Sequence, residues 1–233
     1  MSWSPDGNTL ASASFDETVK LWDAESGELL HDLPNHEDMV YHVSWSPDGN
    51  TLASASSDGT VKLWDAESGE LLHDLTDHEN WVWHVSWSPD GNTLASASWD
   101  GTVKLWDAES GELRHDLTDH EYFVRQVSWS PDGNTLASAS RDTTVKLWDA
   151  ESGELLHDFT DHESEVYHVS WSPDGNTLAS ASDDTTVKLW DVDADRLLEK
   201  ICTRLQNYLR DNPEVSEEDR HLCDGIATSR PSD

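Results

Sequence analysis

Short stretches in which apolar and polar residues alternate follow one another along this chain, separated by turn-forming residues. Such alternation is typical of β-strands that bury one face. In one part of the chain the predicted strands cover residues 43–46, 51–56, 60–64 and 70–75. In the turn after the first of them, Pro47 presets the second position and Gly49 tolerates the positive φ that closes a hairpin. The pattern therefore predicts antiparallel strands joined by tight turns.

These strands belong to a 42-residue unit that recurs almost letter for letter. The segment Ser-Trp-Ser-Pro-Asp-Gly-Asn-Thr-Leu-Ala-Ser-Ala-Ser begins at Ser2, Ser44, Ser86, Ser128 and Ser170. Self-similarity at a fixed period marks a repeat architecture in which each unit stacks on the next. Four antiparallel strands per unit predict an all-β fold of propeller blades, four complete or nearly complete and a partial fifth. We assign this domain to residues 1–192.

Each unit also contains Leu-Ala-Ser-Ala-Ser-x-Asp-x-Thr-Val-Lys-Leu-Trp-Asp, and a histidine lies in the loop that precedes the next unit. In these motifs residues 2–191 resemble the WD40-repeat family. The resemblance implies a β-propeller that serves as a binding scaffold or sensor module, without catalysis of its own. The chain departs from the family at the Gly-His of the loop, which here reads Asn35-His36, Asp77-His78, Asp119-His120 and Asp161-His162. Asn and Asp tolerate left-handed backbone better than most residues.

The count of strands predicts a ring that does not close in the family's usual way. We name the strands of a blade a, b, c and d from the innermost outward. The first unit keeps only Ser2-Trp3 of strand a, and no strand d follows Asp191. Because unpaired strand edges are unfavourable, three arrangements are open: the C-terminal part of a longer array, a homo-oligomer that shares one ring, or an open arc.

Residues from Val192 onward leave the repeat. Apolar positions at helical spacing predict a helix that Asp193 caps. These positions are Leu197, Leu198, Ile201, Leu205, Tyr208 and Leu209. We therefore expect a short α-helical C-terminal tail over residues 193–233. It resembles the ends of bacterial receptor-type proteins in which a WD40 array follows a NACHT-type ATPase module.

Charge and cysteine content exclude several classes of function. The net charge is −34 at pH 7, and the repeats carry most of it. Such a surface repels phosphate backbones and anionic membranes, so neither nucleic acid nor a membrane is an expected partner. The two cysteines, Cys202 and Cys223, lie in the tail, and no signal peptide or transmembrane run is present. We expect a cytoplasmic protein that needs no cofactor.

A histidine, an aspartate, a serine and a tryptophan recur at fixed spacing and look like a catalytic set. In the WD40 family the matching residues form a hydrogen-bonded structural tetrad, and a catalytic site would not be needed in every blade. The serine of the second blade is Ser54 or Ser56. The other tetrad residues are His36, Asp58 and Trp64; His78, Asp100 and Trp106; His120, Asp142 and Trp148; and His162, Asp184 and Trp190.

Histidine pairs also recur, and they raise the question of a metal site. The spacing of His36 and His42 is repeated twice, whereas Gln126 replaces the second histidine in one unit. We predict no metal site and no catalytic residues. The first histidine of each pair belongs to a tetrad, and no cysteine or carboxylate completes a ligand set at fixed geometry.

Two windows vary between the units, while the remaining residues stay nearly fixed. They are the start of strand a and the turn between strands b and c, which the family brings together on one rim. Trp, Tyr, Phe, Met and Arg are enriched at binding hot spots, so we predict that this rim binds a protein or peptide. The candidate residues are Phe15, Met39, Tyr41, Trp81, Trp83, Trp99, Phe123, Arg125, Arg141, Glu165, Tyr167 and Asp183. The alternative is a structural self-assembly unit, joined through open blade edges, in which the rim is incidental.

Overall fold

The computed structural model describes residues 1–193, which form five consecutive antiparallel sheets. Blades 1 and 2 contain β1 (Ser2–Trp3), β2 (Thr9–Ala13), β3 (Val19–Asp23), β4 (Leu29–Leu33), β5 (Val40–Trp45), β6 (Thr51–Ser56), β7 (Val61–Asp65) and β8 (Leu71–Leu75). Blades 3 and 4 contain β9 (Val82–Trp87), β10 (Thr93–Ser98), β11 (Val103–Asp107), β12 (Leu113–Leu117), β13 (Val124–Trp129), β14 (Thr135–Ser140), β15 (Val145–Asp149) and β16 (Leu155–Phe159). Blade 5 contains β17 (Val166–Trp171), β18 (Thr177–Ser182) and β19 (Val187–Asp191).

The strands of each blade pair in chain order, as expected for consecutive hairpins. Blades 1 to 4 each have four strands, and blade 5 has three within the described residues. The inner strands β5, β9, β13 and β17 pack beside one another in turn, so that neighbouring blades meet along strand a. One end of every blade therefore gathers the start of strand a and the turn between strands b and c. We call this end the rim.

The fold class needs one correction, which concerns the helical tail. Residues 1–193 contain no helix, and Asp193 lies in no regular element. The backbone still follows the blade at Val192, whose N–H donates to the Asn176 carbonyl at 3.0 Å, just as Ala150 N–H donates to Asn134 in blade 4. The structure therefore supports an all-β fold. The rest of the expected tail, 194–233, lies outside the described residues.

The apolar core lies between the blades. At one junction Ala97, Val103 and Leu105 of blade 3 pack against Val127 and Trp148 of blade 4, all of them buried. In blade 3, strands b and c are buried on both faces, whereas in strand d only Leu117 is buried. Each blade thus depends on its neighbour for a large share of its apolar burial.

Hydrogen bonds join each blade to the previous one at the inner strand. The indole N–H of the tryptophan that ends strand a donates to the backbone carbonyl of a serine in the preceding strand a. The pairs are Trp45 with Ser2, Trp87 with Ser44, Trp129 with Ser86 and Trp171 with Ser128, at 2.9–3.0 Å. These bonds fix the spacing of the inner strands, and with it the positions of the side chains at the rim.

Candidate functional site

The four tetrads are complete and nearly identical. In blade 3, His78 Nδ1 lies 2.7 Å from Asp100 Oδ2, and His78 Nε2 lies 2.7 Å from Ser96 Oγ. The Trp106 indole N–H donates to the same Ser96 Oγ at 2.8 Å. The structure thus resolves the choice of serine, which is Ser54, Ser96, Ser138 and Ser180 in the four blades. The tetrad ties the loop before strand a to strands b and c of the same blade.

The order of the hydrogen bonds fixes the role of each group. The Asp100 carboxylate can only accept, so His78 Nδ1–H donates to it, and the Ser96 hydroxyl accepts from the Trp106 indole N–H. Burial opposes the ionised form of Asp100, but hydrogen bonds from His78 and Thr102 outweigh it and hold the pKa of Asp100 below its usual range. The aspartate is therefore a carboxylate at neutral pH, matched by N–H and O–H donors.

This arrangement does not provide a usable nucleophile. The Ser96 side chain is fully buried, and its oxygen is already bonded to both His78 and Trp106. A substrate would have to displace the core to reach it. The tetrads fit a structural role, because buried polar groups that are fully paired lock local geometry.

The candidate binding residues of each blade come from three variable positions at the rim, and two of these are joined by a backbone hydrogen bond. Trp99 N–H, in the turn between strands b and c, donates to the Trp81 carbonyl in the loop before strand a, at 2.8 Å. The same bond joins Ser57 to Met39, Arg141 to Phe123 and Asp183 to Glu165. The two windows that vary in the sequence therefore belong to a single surface.

The third variable position lies on a β-bulge in strand a. In blade 3, Val82 pairs with Ser98 and His84 pairs with Ala97, so Trp83 is an extra residue in the ladder. The same shift occurs at Tyr41, Arg125 and Tyr167. A bulge leaves its extra residue unpaired and turns the side chain away from the regular alternation. The sequence pattern predicts strand a but gives no signal for this bulge.

A continuous chain of aromatic contacts crosses the rim. Trp99 lies at its centre, with its ring centroid 4.7 Å from Trp81, 5.8 Å from Trp83 and 4.6 Å from Phe123. Toward the first blades, Trp83 stacks on Tyr41 at 4.3 Å, and Tyr41 meets Phe15 at 5.9 Å. Such edge and offset geometries are favourable for aromatic rings. The predicted tryptophan cluster therefore exists as one contiguous patch.

The rings of this patch differ in how accessible they are. Phe15 is 71% exposed and Trp99 is 36% exposed, whereas Trp81 is half-buried. Phe123 is only 5% exposed, because Trp99 and the Arg141 guanidinium cover it. Phe123 thus supports the patch from beneath and offers a ligand little surface. Met39 and Tyr41 are also half-buried, and Tyr167 and Asp183 are exposed.

Blade 4 contributes two arginines to the patch. The Arg125 guanidinium carbon lies 4.7 Å from the Phe123 centroid and 5.0 Å from the Trp83 centroid, and Arg125 forms an ion pair with Glu165. Arg141 lies 5.0 Å over Phe123 and has no carboxylate partner among residues 1–193. The contact between Arg125 and Glu165 joins two blades and was not foreseen from the sequence, since their spacing of 40 residues reflects no local pattern.

One position after the bulge, a second row of side chains lines the inner strands. The rings of His42 and His84 stack at 4.1 Å, and Gln126 Nε2 lies 3.2 Å from His168 Nε2. Nδ1 of His42 and Nδ1 of His84 are buried without a hydrogen-bond partner in the described residues. Burial lowers the pKa of His42 to about 4 and that of His84 well below the usual value. Both rings are neutral at physiological pH.

The other surfaces offer less specific features. Among residues 1–193, no three histidine, cysteine or acidic side chains are grouped so that they could hold a metal ion. A cavity of about 810 Å³ between blades 4 and 5 includes Phe159, Trp171 and Asn176 in its lining, at the end of the strands opposite the rim. Similar grooves of about 490 and 660 Å³ lie at other blade junctions. This feature belongs to the repeat and is not particular to one blade. The described part of the chain has no helix able to cross a membrane.

Two family models match the chain. Residues 111–149 and 153–191 match the WD domain, G-beta repeat, and residues 1–109 match the first β-propeller of IFT122. Neither match reaches the tail, so the resemblance of the tail to NACHT-containing receptors stays a prediction.

Curated relatives match over less than one repeat. The F-box-like/WD repeat-containing protein TBL1X of Mus musculus is 57% identical over 35 residues, which are 15% of this chain and 7% of that protein. The WD40 repeat-containing protein HOS15 of Arabidopsis thaliana is 64% identical over 33 residues, which are 14% of this chain and 5% of that protein. The chain thus spans only a small part of these relatives.

Proposed function

Because the chain carries WD40 repeats, we propose that it is a non-catalytic binding module whose rim anchors a protein or peptide partner. WD40 domains generally serve as scaffolds for protein interactions. The observation that supports the proposal is the distribution of differences between the repeats. They concentrate in the two rim windows, and the aromatic residues among them form one contiguous patch. Large exposed apolar patches on soluble proteins mark interaction sites.

The three tryptophans of blade 3 have different parts in this surface. Trp99 and Trp81 present ring area to solvent, whereas Trp83 is stacked between Tyr41 and Trp99 and lies under Arg125. We therefore assign the anchoring role to Trp81 and Trp99. Replacing Trp83 is expected to cost stability as well, because its ring supports its neighbours.

The first prediction tests the anchor. Trp99→Ala and Trp81→Ala are each expected to weaken binding of a native partner by about 2 kcal/mol or more, with little change in folding. Partners are captured from cell extract with the whole protein, identified, purified and measured by titration calorimetry against each variant. The matched control is Trp3→Ala, because Trp3 is 59% exposed but ends strand a far from the rim.

Unchanged affinity of purified partners for the Trp81→Ala/Trp99→Ala double variant would refute the rim as the binding site. A large fall in melting temperature for that variant would show instead that both rings belong to the core.

Self-association is the second candidate, and exposed apolar residues on blade 5 favour it. Val187 and Leu189 of β19 are 68% and 71% exposed, whereas the equivalent Val145 and Leu147 of blade 4 are buried. In blade 4 these residues are covered by strand d and by blade 5. A second copy of the chain could cover them on blade 5 and pair with the edge of β19.

The second prediction concerns this edge. Wild-type protein is expected to form oligomers at tens of micromolar, and Leu189→Asp is expected to shift it toward the monomer, because a charge is unfavourable in a buried apolar contact. Light scattering coupled to size-exclusion chromatography measures the mass. Leu72→Asp is the control, since Leu72 is exposed on strand d of blade 2. A monomeric wild-type protein at these concentrations would rule out the self-assembly hypothesis.

A further inference from the structure

The rim contains one cation site that the chain fills with its own side chain. The Arg125 guanidinium lies 5.0 Å from the Trp83 centroid, 4.7 Å from Phe123 and 5.5 Å from Tyr167. The Glu165 carboxylate forms an ion pair with it. Rings that contact a guanidinium, together with a carboxylate that neutralises it, make a favourable environment for arginine. The patch is therefore chemically suited to guanidinium groups.

Blade 3 has the same components without a cation. Trp99 and Trp81 meet edge to face at 4.7 Å, with Trp99 exposed and Trp81 half-buried. In residues 1–193 no arginine or lysine cation lies over either ring, although Arg125 and Arg141 lie over the neighbouring Trp83 and Phe123.

An acidic residue also lies in the loop that leads to these rings. The Glu79 backbone N–H donates to Asp100 Oδ2 at 3.1 Å, and Asp100 directly follows Trp99. This bond holds the exposed Glu79 next to the turn that bears Trp99. The equivalent glutamates of the other blades are Glu37, Glu121 and Glu163, held by the same bond. The loop at the rim thus carries negative charge in four blades.

The net charge of the whole chain also favours a basic partner. With a net charge of −34, the protein attracts basic partners and repels acidic ones. Long-range attraction alone does not distinguish lysine from arginine, whereas stacking on an indole ring favours the planar, weakly hydrated guanidinium. The local geometry therefore adds a preference that net charge does not.

We propose that Trp81 and Trp99, together with Glu79, bind an arginine side chain from a basic segment of the partner protein. This inference rests on the rim being the binding surface. In it, the arginine stacks on Trp99 as Arg125 stacks on Trp83 and Phe123, and the Glu79 carboxylate accepts its N–H donors.

Two labelled peptides of equal length and charge test the proposal, one with arginine at alternate positions and the other with lysine, each separated by glycine. Fluorescence anisotropy with the whole protein is expected to show about fivefold to tenfold tighter binding of the arginine peptide. Trp99→Ala is expected to remove this preference, and Trp99→Phe is expected to retain most of it. Trp3→Ala should leave it unchanged.

The outcomes separate this inference from the proposed function. Equal affinity of the wild-type protein for the two peptides would overturn the arginine site, while the rim itself would still be judged by the native-partner assay. An arginine preference that survives Trp99→Ala and Trp81→Ala would place the cation site elsewhere and also overturn the inference. A preference lost in Trp99→Ala and kept in Trp99→Phe supports it, provided that both variants melt at the wild-type temperature, because an unchanged melting temperature excludes a folding defect.

Discussion

Replacing His78 with alanine is expected to lower the free energy of unfolding by about 1–3 kcal/mol, because the buried partners of the histidine lose their hydrogen bonds. Ser96 Oγ is fully buried and would lose its histidine partner, and the Asp100 carboxylate would lose its Nδ1–H donor. Urea denaturation measures the change. Binding at the rim, expressed per folded molecule, should persist.

A second histidine provides a matched control for this prediction. His115 lies on strand d, and its Nε2 contacts the Glu151 carbonyl in the next blade at 2.9 Å in an exposed setting. His115→Ala is expected to cost clearly less, since water can replace the lost bond. If His78→Ala instead abolished an activity while leaving the urea midpoint unchanged, the structural role of the tetrads would be wrong.

Acid is expected to destabilise the protein by about 3 kcal/mol through His42 alone, between pH 6.5 and about 4. Burial lowers the pKa of His42 in the folded state to about 4, against about 6.5 in an unfolded chain. In this window the unfolded state binds the proton and the folded state does not. The contribution of neutral His42 to the free energy of unfolding is therefore fully present above pH 6.5 and is lost as the pH falls to about 4. Burial also lowers the pKa of His84 well below its usual value, which adds a loss of the same sign.

Glutamine substitutions isolate the contribution of these two histidines to acid sensitivity. In blade 4 the native chain already has Gln126 at the position of His42 and His84, so glutamine fits the inner strand. The His42→Gln/His84→Gln variant is expected to lose less stability than the wild type from pH 6.5 to 4, measured by urea denaturation at a series of pH values. The comparison cancels the opposing gain from protonation of surface carboxylates, which relieves repulsion in an acidic protein. Parallel pH profiles for the two proteins would contradict the prediction.

Much of the architecture follows from local sequence. The turns at Pro47-Asp48-Gly49 and the alternation in 51–56 identify the hairpins, and the 42-residue period identifies the blades. The tetrad could be assigned because its members recur at fixed spacing. The sequence could not decide whether Ser54 or Ser56 belongs to the tetrad, because both lie on the same strand and both are buried. In the structure Ser54 contacts His36, whereas Ser56 donates to the Asp38 carbonyl.

Other features depend on contacts that no local pattern encodes. Phe123 looks like any variable aromatic residue in the sequence, yet rings and a guanidinium from neighbouring positions cover it. The ion pair of Arg125 with Glu165 and the stack of His42 on His84 both cross from one blade to the next. They depend on the spacing of the inner strands, which only the assembled blades determine.

The bulge in strand a makes the units of this protein exchangeable. Its extra residue belongs to no hydrogen-bonded pair, so it can change without disturbing the ladder on either side. Every blade meets its neighbours through almost the same residues, and its three rim positions lie close together at the end of one blade. Moving, duplicating or replacing a whole unit would therefore reorder the recognition surface while preserving the core. Recombination between the repeats of such a chain would therefore change its recognition surface one blade at a time.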